Sequence, residues 1–274
     1  MYLLGRYNPS VKSQDALRAL GGVTASQWGM VTTAQASLLG ITRLDLSRLA
    51  EAGHLTRLAH GVYLDSGAPG DRFDDLRAAW LSTDPKPLGE ERIRDGASGV
   101  VIASVSAARL HDIGSLWADR HEFVSPGRRQ SQRPEIRYRQ RFLDVRDVTL
   151  VEGMPAMTME RTIADLVEEV ADLSLVAEAL RDAARQRNLD LARLAELLAP
   201  LAQRHAFNEG DGAGVLARLM QIAGIDADAV ARRVAADPAL GSRVVATYLA
   251  KLSTAELERL VGSIRDVHPA DARE

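Results

Sequence analysis

Six acidic or imidazole side chains, His111-Asp112, His121-Glu122, Asp144 and Asp147, stand near a run of arginines and could bind a divalent metal that cuts nucleic acid. A nuclease core of that kind needs an acid and then Glu/Gln-x-Lys on adjacent strand positions, to hold the ion and orient a water. Lysine occurs only at Lys12, Lys86 and Lys251, so the stretch that carries these acids has none, and that version fails. The chain has no cysteine, which removes a thiol nucleophile, a Cys-ligated zinc and a disulfide framework together. No Gly-x-Ser-x-Gly elbow supports serine catalysis. Gly210-Asp-Gly-Ala-Gly214 lacks the Gly-Lys-Ser/Thr of a phosphate loop and reads as a helix cap. No catalytic residue, metal or cofactor is expected.

The remaining chemistry is arginine chemistry. A guanidinium pairs bidentately with guanine in the major groove, and Ser or Thr hydroxyls reach bases or phosphates. Arg43, Ser47 and Arg48 have a spacing that suits one helix face. A denser basic run spans Arg120 to Arg141, where seven arginines face only Glu122 and Glu135. Arg137 and Arg139 alternate around Tyr138, so in a strand they share one face. With Arg128, Arg129, Arg133 and Arg141 they form a candidate second nucleic-acid surface. The competing reading is a solvated sheet face whose arginines pair with the acids that follow Glu160. Nine acids oppose five arginines between Glu160 and Glu196. The overall net charge of −3 averages over these unlike segments.

Elements must hold these groups, and the chain is long enough to build them. Its 274 residues, 46% hydrophobic and 26% charged, match a globular protein of about two domains. Thr32 followed by Gln35 is a capping box that starts a helix at Thr33, with Ala34, Leu38 and Leu39 on one side. Gly40 ends it, and Ile41-Thr42 completes a short turn. Thr42 with Asp45 starts a second helix, with Leu46, Leu49 and Ala50 inward and Arg43, Leu44, Ser47 and Arg48 outward. An earlier helix between Gln14 and Trp28 would close the small core. Leu55 to Leu64 then reads as two strands around His60-Gly61, anchored by Leu58, Val62 and Leu64. A helix-turn-helix followed at once by a hairpin is a winged helix. In that arrangement Arg43, Ser47 and Arg48 read bases, while Thr32, Thr33, Arg57 and His60 contact phosphates. Gln35 and Thr42 belong to the same DNA-binding set.

Further on, a helical pattern spans Asp71 to Ser82 and a polar connector runs from Thr83 to Gly99. Strand-like segments lie at Glu122–Ser125, Ile136–Gln140 and Val148–Val151, between short helices at Ser104–His111 and Met159–Val170. Everything past Leu173 reads as helix, including a capping box at Ser253-Thr-Ala-Glu256 that opens a helix with Leu257, Leu260, Val261 and Ile264 inward. The expected fold is α+β: an N-terminal winged helix-turn-helix, a mixed α/β region and a C-terminal helical region. The expected domains are 1–66, the DNA-binding module; 67–99, a helix and linker; and 100–274, an α/β plus helical domain. The longest uncharged stretch, Gly96 to Ala108, is too short for a transmembrane helix. With no signal-peptide pattern at Met1 to Arg6, the chain is expected to be cytoplasmic.

Val31-Thr-Thr-Ala-Gln-Ala36, Gly40-Ile-Thr42, Leu46-Ser-Arg-Leu49, Gly53 and Arg57-Leu-Ala-His-Gly-Val-Tyr63 together resemble the N-terminal winged helix of AbiEi-type antitoxins. These are the regulator halves of type IV toxin–antitoxin systems. The likeness continues through Ser106–His111, Glu122–Pro126, Asp147–Leu150, Gly153–Pro155 and Glu160–Asp165. The resemblance implies a bacterial protein that binds and represses its own promoter, and a C-terminal domain that counteracts a nucleotidyltransferase toxin. Such a toxin carries Gly-Ser and, some ten residues on, Asp-x-Asp or Asp-x-Glu. Gly114-Ser115 has no such pair at that distance, and Asp226-Ala-Asp228 has no Gly-Ser before it, so the toxin is not encoded here. The expected partners are double-stranded promoter DNA and that toxin, with no membrane. The alternatives are an orphan winged-helix regulator or interaction module without a toxin and, less favoured, a metal-dependent nucleic-acid enzyme.

Overall fold

A computed structural model describes residues 9–250 apart from Asn188, together with Ser253 and Glu256. The fold is α+β with a helical C-terminal region. It divides into two compact units, Met1–Leu219 and Met220–Glu274.

The first unit opens with helix α1 (Pro9–Ser26), strand β1 (Met30–Thr32), helices α2 (Thr33–Leu38) and α3 (Arg43–Glu51), and the hairpin β2 (Leu55–Ala59) and β3 (Val62–Asp65). Both expected capping boxes are present. Gln35 N–H donates to Thr32 Oγ1 at 3.1 Å, and Asp45 N–H donates to Thr42 Oγ1 at 3.2 Å. Each satisfies helix-start donors that would otherwise be orphaned. Gly40, at φ +77°, takes the left-handed conformation that ends α2. Gly61, at φ +72°, does the same at the hairpin tip.

The three strands form an antiparallel sheet in the order β1-β3-β2. Side chains alternate across it. Val31, Leu55 and Tyr63 pack with Leu20, Ala36, Ile41, Leu46 and Leu49 beneath the helices. Met30, Val62 and Leu64 face the other way and join Phe73, Leu76 and Trp80 in the large core. The sheet is therefore covered on both sides, the second by helix α4 (Asp74–Thr83). The compact units consequently do not divide at residues 66 and 99. The connector also contains a short helix, α5 (Gly89–Ile93).

Beyond it lies a five-stranded mixed sheet in the order β6-β5-β4-β8-β7, built from β4 (Val101–Ile102), β5 (His121–Ser125), β6 (Ile136–Gln140), β7 (Val148–Val151) and β8 (Met154–Met157). Helix α6 (Ser104–His111) precedes β5, and α7 (Met159–Glu169) comes after β8. The three strands expected from the sequence are present. The two-residue β4 and the buried Met154-Pro-Ala-Met157 are additions, because they show no alternation that a pattern could reveal. β5 and β6 pair in parallel, although only residues 126–135 join them. That crossover has no helix to support it, and it carries Arg128, Arg129 and Arg133.

Helices α8 (Leu173–Gln186), α9 (Leu191–Leu198) and α10 (Gly212–Ala223) complete the first unit, α10 running on into the second. Leu194, Leu198 and Leu201 are buried, Leu197 is half-buried and Leu191 is exposed. The second unit contains α11 (Ala227–Ala236) and α12 (Pro238–Leu249). The Ser253–Glu256 box is formed, with Ser253 Oγ donating to Glu256 Oε2 at 2.6 Å. Leu257, Leu260, Val261 and Ile264 lie outside the described residues.

Candidate nucleic-acid interface

Helix α3 buries Leu46 and Leu49 completely and half-buries Ala50. At 3.6 residues per turn, the line of the helix opposite that stripe runs through Leu44 and Arg48. Arg43, Leu44 and Arg48 are exposed, and Ser47 is half-buried. Among the described residues, neither Arg43 nor Arg48 enters an ion pair. Asp45, in the first turn, instead accepts from both the backbone N–H and the hydroxyl of Thr42, at 3.0 and 2.6 Å. Ser47 Oγ donates to Glu51 at 3.2 Å. On the hairpin, Arg57 and His60 are exposed. Arg57 Nη2 lies 3.4 Å from His60 Nδ1.

Two of the other expected DNA ligands, Thr32 and Gln35, require correction. Thr32 and Gln35 are buried. Thr32 Oγ1 donates to the Pro85 carbonyl, and Gln35 Nε2 donates to the Pro87 carbonyl at 2.8 Å. Gln27 joins them: its Nε2 donates to Gln35 Oε1 at 2.7 Å, and its Oε1 accepts from Gly89 N–H at 3.1 Å. Segment 85–89 thus lies over the start of α2, where a phosphate was expected. Thr33 Oγ1 and N–H both donate to the Gly61 carbonyl, at 3.3 and 2.8 Å, and so fix the hairpin tip against α2. Thr42 is exposed but committed to its cap. Leu38 and Leu39, expected inward, are 66% and 43% exposed. Gln35 and Ala36 occupy the inward face of α2 instead, because a helix this short has room for only one buried turn.

The proposed second surface is corrected in part. Arg137, Arg139 and Arg141 do share one face of β6 and its extension, but that face meets α7. Arg137 pairs with Glu122 at 2.9 Å and Glu169 at 3.1 Å. Arg139 pairs with the fully buried Asp165, and with Glu169 at 3.1 Å. Arg141 pairs with Glu168 at 2.5 Å. Burial, which alone would lower it, is outweighed at Arg139 by the Asp165 hydrogen bond and the nearby acids, so its pKa rises. Glu169 is raised, chiefly by burial. These arginines are internal counter-ions, and the reading with paired acids describes them.

The crossover arginines have a different task. Arg129 donates to the Thr83 carbonyl at 2.9 Å, and Arg133 to the Ser82 carbonyl and hydroxyl at 3.1 and 2.8 Å. Arg92, buried against the face of Trp80, donates to the Trp80 carbonyl at 2.7 Å and to Thr83 Oγ1 at 2.7 Å. Burial pushes the Arg92 guanidinium down to about 10. Three guanidiniums thus converge on the C-terminal carbonyls of α4, the negative end of its dipole. In doing so they fasten the crossover. Arg128 remains exposed.

The acids considered for a metal are also engaged. Glu122 pairs with Arg137, Asp112 with Arg72 at 3.2 Å, Asp144 with Arg146 at 3.0 Å and Asp147 with Arg193 at 2.8 Å. His111 Nε2 donates to the Met157 carbonyl at 2.7 Å. Among the described residues no cluster of three His, Asp or Glu could hold a metal ion. No helix among them is long and apolar enough to cross a membrane.

Residues 23–64, which contain α2, α3 and most of the hairpin, match a family described as "Transcriptional regulator, AbiEi antitoxin". No curated protein matches the chain. Among solved structures, the crystal structure of the RV2827C protein from Mycobacterium tuberculosis is similar at 17% identity. It covers 77% of this chain and 80% of that one, with a TM-score of 0.47.

Proposed function

We propose that this chain is the antitoxin of a type IV toxin–antitoxin system, which binds its own promoter through an N-terminal winged helix and represses it. The observation that carries this reading is the exposed outer side of α3, with Arg43 and Arg48 free of ion pairs among the described residues, inside a segment that matches the antitoxin-regulator family. Two unpaired guanidiniums on a short capped helix suit a major groove. Arg57 and His60 sit where a wing meets the phosphate backbone. The remainder of the chain, on this reading, counteracts a nucleotidyltransferase toxin inside a bacterial cell, and the chain itself is not an enzyme.

The test is affinity for the DNA upstream of its own gene, measured at several salt concentrations against an unrelated duplex of equal length. The reading expects tighter binding to the upstream DNA and a log–log salt slope of about −0.9 for each phosphate neutralised. Equal affinity for both duplexes would refute promoter recognition. Expression beside the neighbouring nucleotidyltransferase gene tests the second half: growth arrested by the toxin alone is restored by the pair. If the upstream DNA binds and no such gene stands alongside, the orphan-regulator reading replaces the antitoxin.

A further inference from the structure

Leu44 occupies the second position of α3 and is 59% exposed. A lone exposed leucine is ordinary, but the place of this one is not. It lies four residues before Arg48, on the line of the helix opposite the buried Leu46 and Leu49. Arg43 precedes it directly. The outermost ridge of the helix therefore carries an apolar side chain one turn before the Arg48 guanidinium, with Arg43 about 100° round the helix to one side and the capping Asp45 to the other; neither arginine has a carboxylate partner among the described residues. Glu51, one turn beyond Arg48, occupies the ridge's far end and accepts from Ser47. Arg43 and Leu44 stand in the first turn, the half that enters a groove, and Arg48 follows one turn further along the ridge.

The occupant must offer an apolar group with negative charge beside it. Duplex DNA does so in the major groove, where the only apolar group on a base edge is the C5-methyl of thymine. We propose that Leu44 reads thymine methyl groups, so that the operator carries thymine beneath the first turn of α3, with Arg43 and Arg48 holding its flanks. This inference rests on the DNA-binding reading above.

Uracil-substituted DNA isolates the methyl. The upstream region is amplified with dUTP in place of dTTP, so that sequence, charge and pairing are kept and only the methyl groups are lost. The full-length protein is expected to bind the uracil duplex about three- to tenfold more weakly than the thymine duplex. Leu44→Ala is expected to bind thymine DNA more weakly and to show a thymine-to-uracil ratio near one. Arg43→Ala should lose affinity while keeping the wild-type ratio. Because Leu44 is exposed, its truncation leaves the core intact, and a thermal melt checks this. Equal wild-type affinity for the two duplexes, or an undiminished ratio in Leu44→Ala, overturns the inference and leaves promoter binding standing. Failure of the wild type to prefer its upstream DNA at all defeats the underlying reading instead.

Discussion

Arginines in this chain divide by what stands opposite them. On β6 they face buried acids, and Asp165 is the centre: it is fully buried and within reach of Arg139, Arg141 and Arg161. Removing its charge takes from Arg161 its carboxylate and from Arg139 and Arg141 one of two each, and losing one member of a buried pair costs about 3–5 kcal/mol. Asp165→Asn should therefore lower the urea midpoint sharply, whereas Arg128→Ala, at an exposed crossover position, should stay within about 0.5 kcal/mol of wild type. On α3 the same residue type faces solvent. Arg48→Ala should leave the urea midpoint unchanged and weaken promoter binding by about 1–3 kcal/mol. Arg57→Ala should mainly reduce the steepness of the salt dependence, by about one phosphate's share. Residue type and spacing made the α3 arginines legible. The fate of the β6 arginines depended on which element covers that sheet face, and the nine acids from Glu160 to Glu196 were the only hint.

Short elements here are held by their ends. The α3 start depends on the reciprocal bonds of Thr42 and Asp45, and Thr42→Ala should cost about 1 kcal/mol. Because the helix has only nine residues, the loss should also appear as faster amide exchange over residues 43–48 and weaker DNA binding. Both capping boxes were readable because they are local, using a side chain and a backbone N–H three residues apart. The coverage of the α2 start by Pro85 to Gly89 was not readable, since Thr32 and Gln35 meet carbonyls some fifty residues away. Capping chemistry and phosphate binding use the same residue types, and only the distant segment distinguishes them. The β5–β6 crossover makes the same point, because its arginines fasten to α4 through contacts that no local pattern encodes.

At the scale of the molecule, the N-terminal sheet is shared between two cores, so residues 23–64 do not stand apart from the rest of the first unit. Buried histidines should also make the whole protein acid-sensitive. Burial lowers the pKa of both His111 and His121, so the folded protein resists protons that the unfolded chain accepts. Their contribution is fully present above the ordinary histidine value of about 6.5 and is lost as the pH falls below it, by at most about 1.4 kcal/mol per pH unit for each. Thermal melts from pH 7.5 to 5.5 should show a falling midpoint, and His111→Gln should flatten part of that fall. A midpoint that rises with acidity would reverse the assignment.

Local chemistry was determined by the amino-acid order alone: where helices begin, where the hairpin turns, which helix face carries guanidiniums, and the absence of cysteine and of lysine between 86 and 251. These depend on neighbours a few residues apart, which the chain specifies directly. Tertiary structure alone decided which charged groups are still available to a partner, because ion pairs and buried amides join elements far apart in sequence. A guanidinium is the same group in both settings, and what differs is whether an acid or open solvent lies across from it.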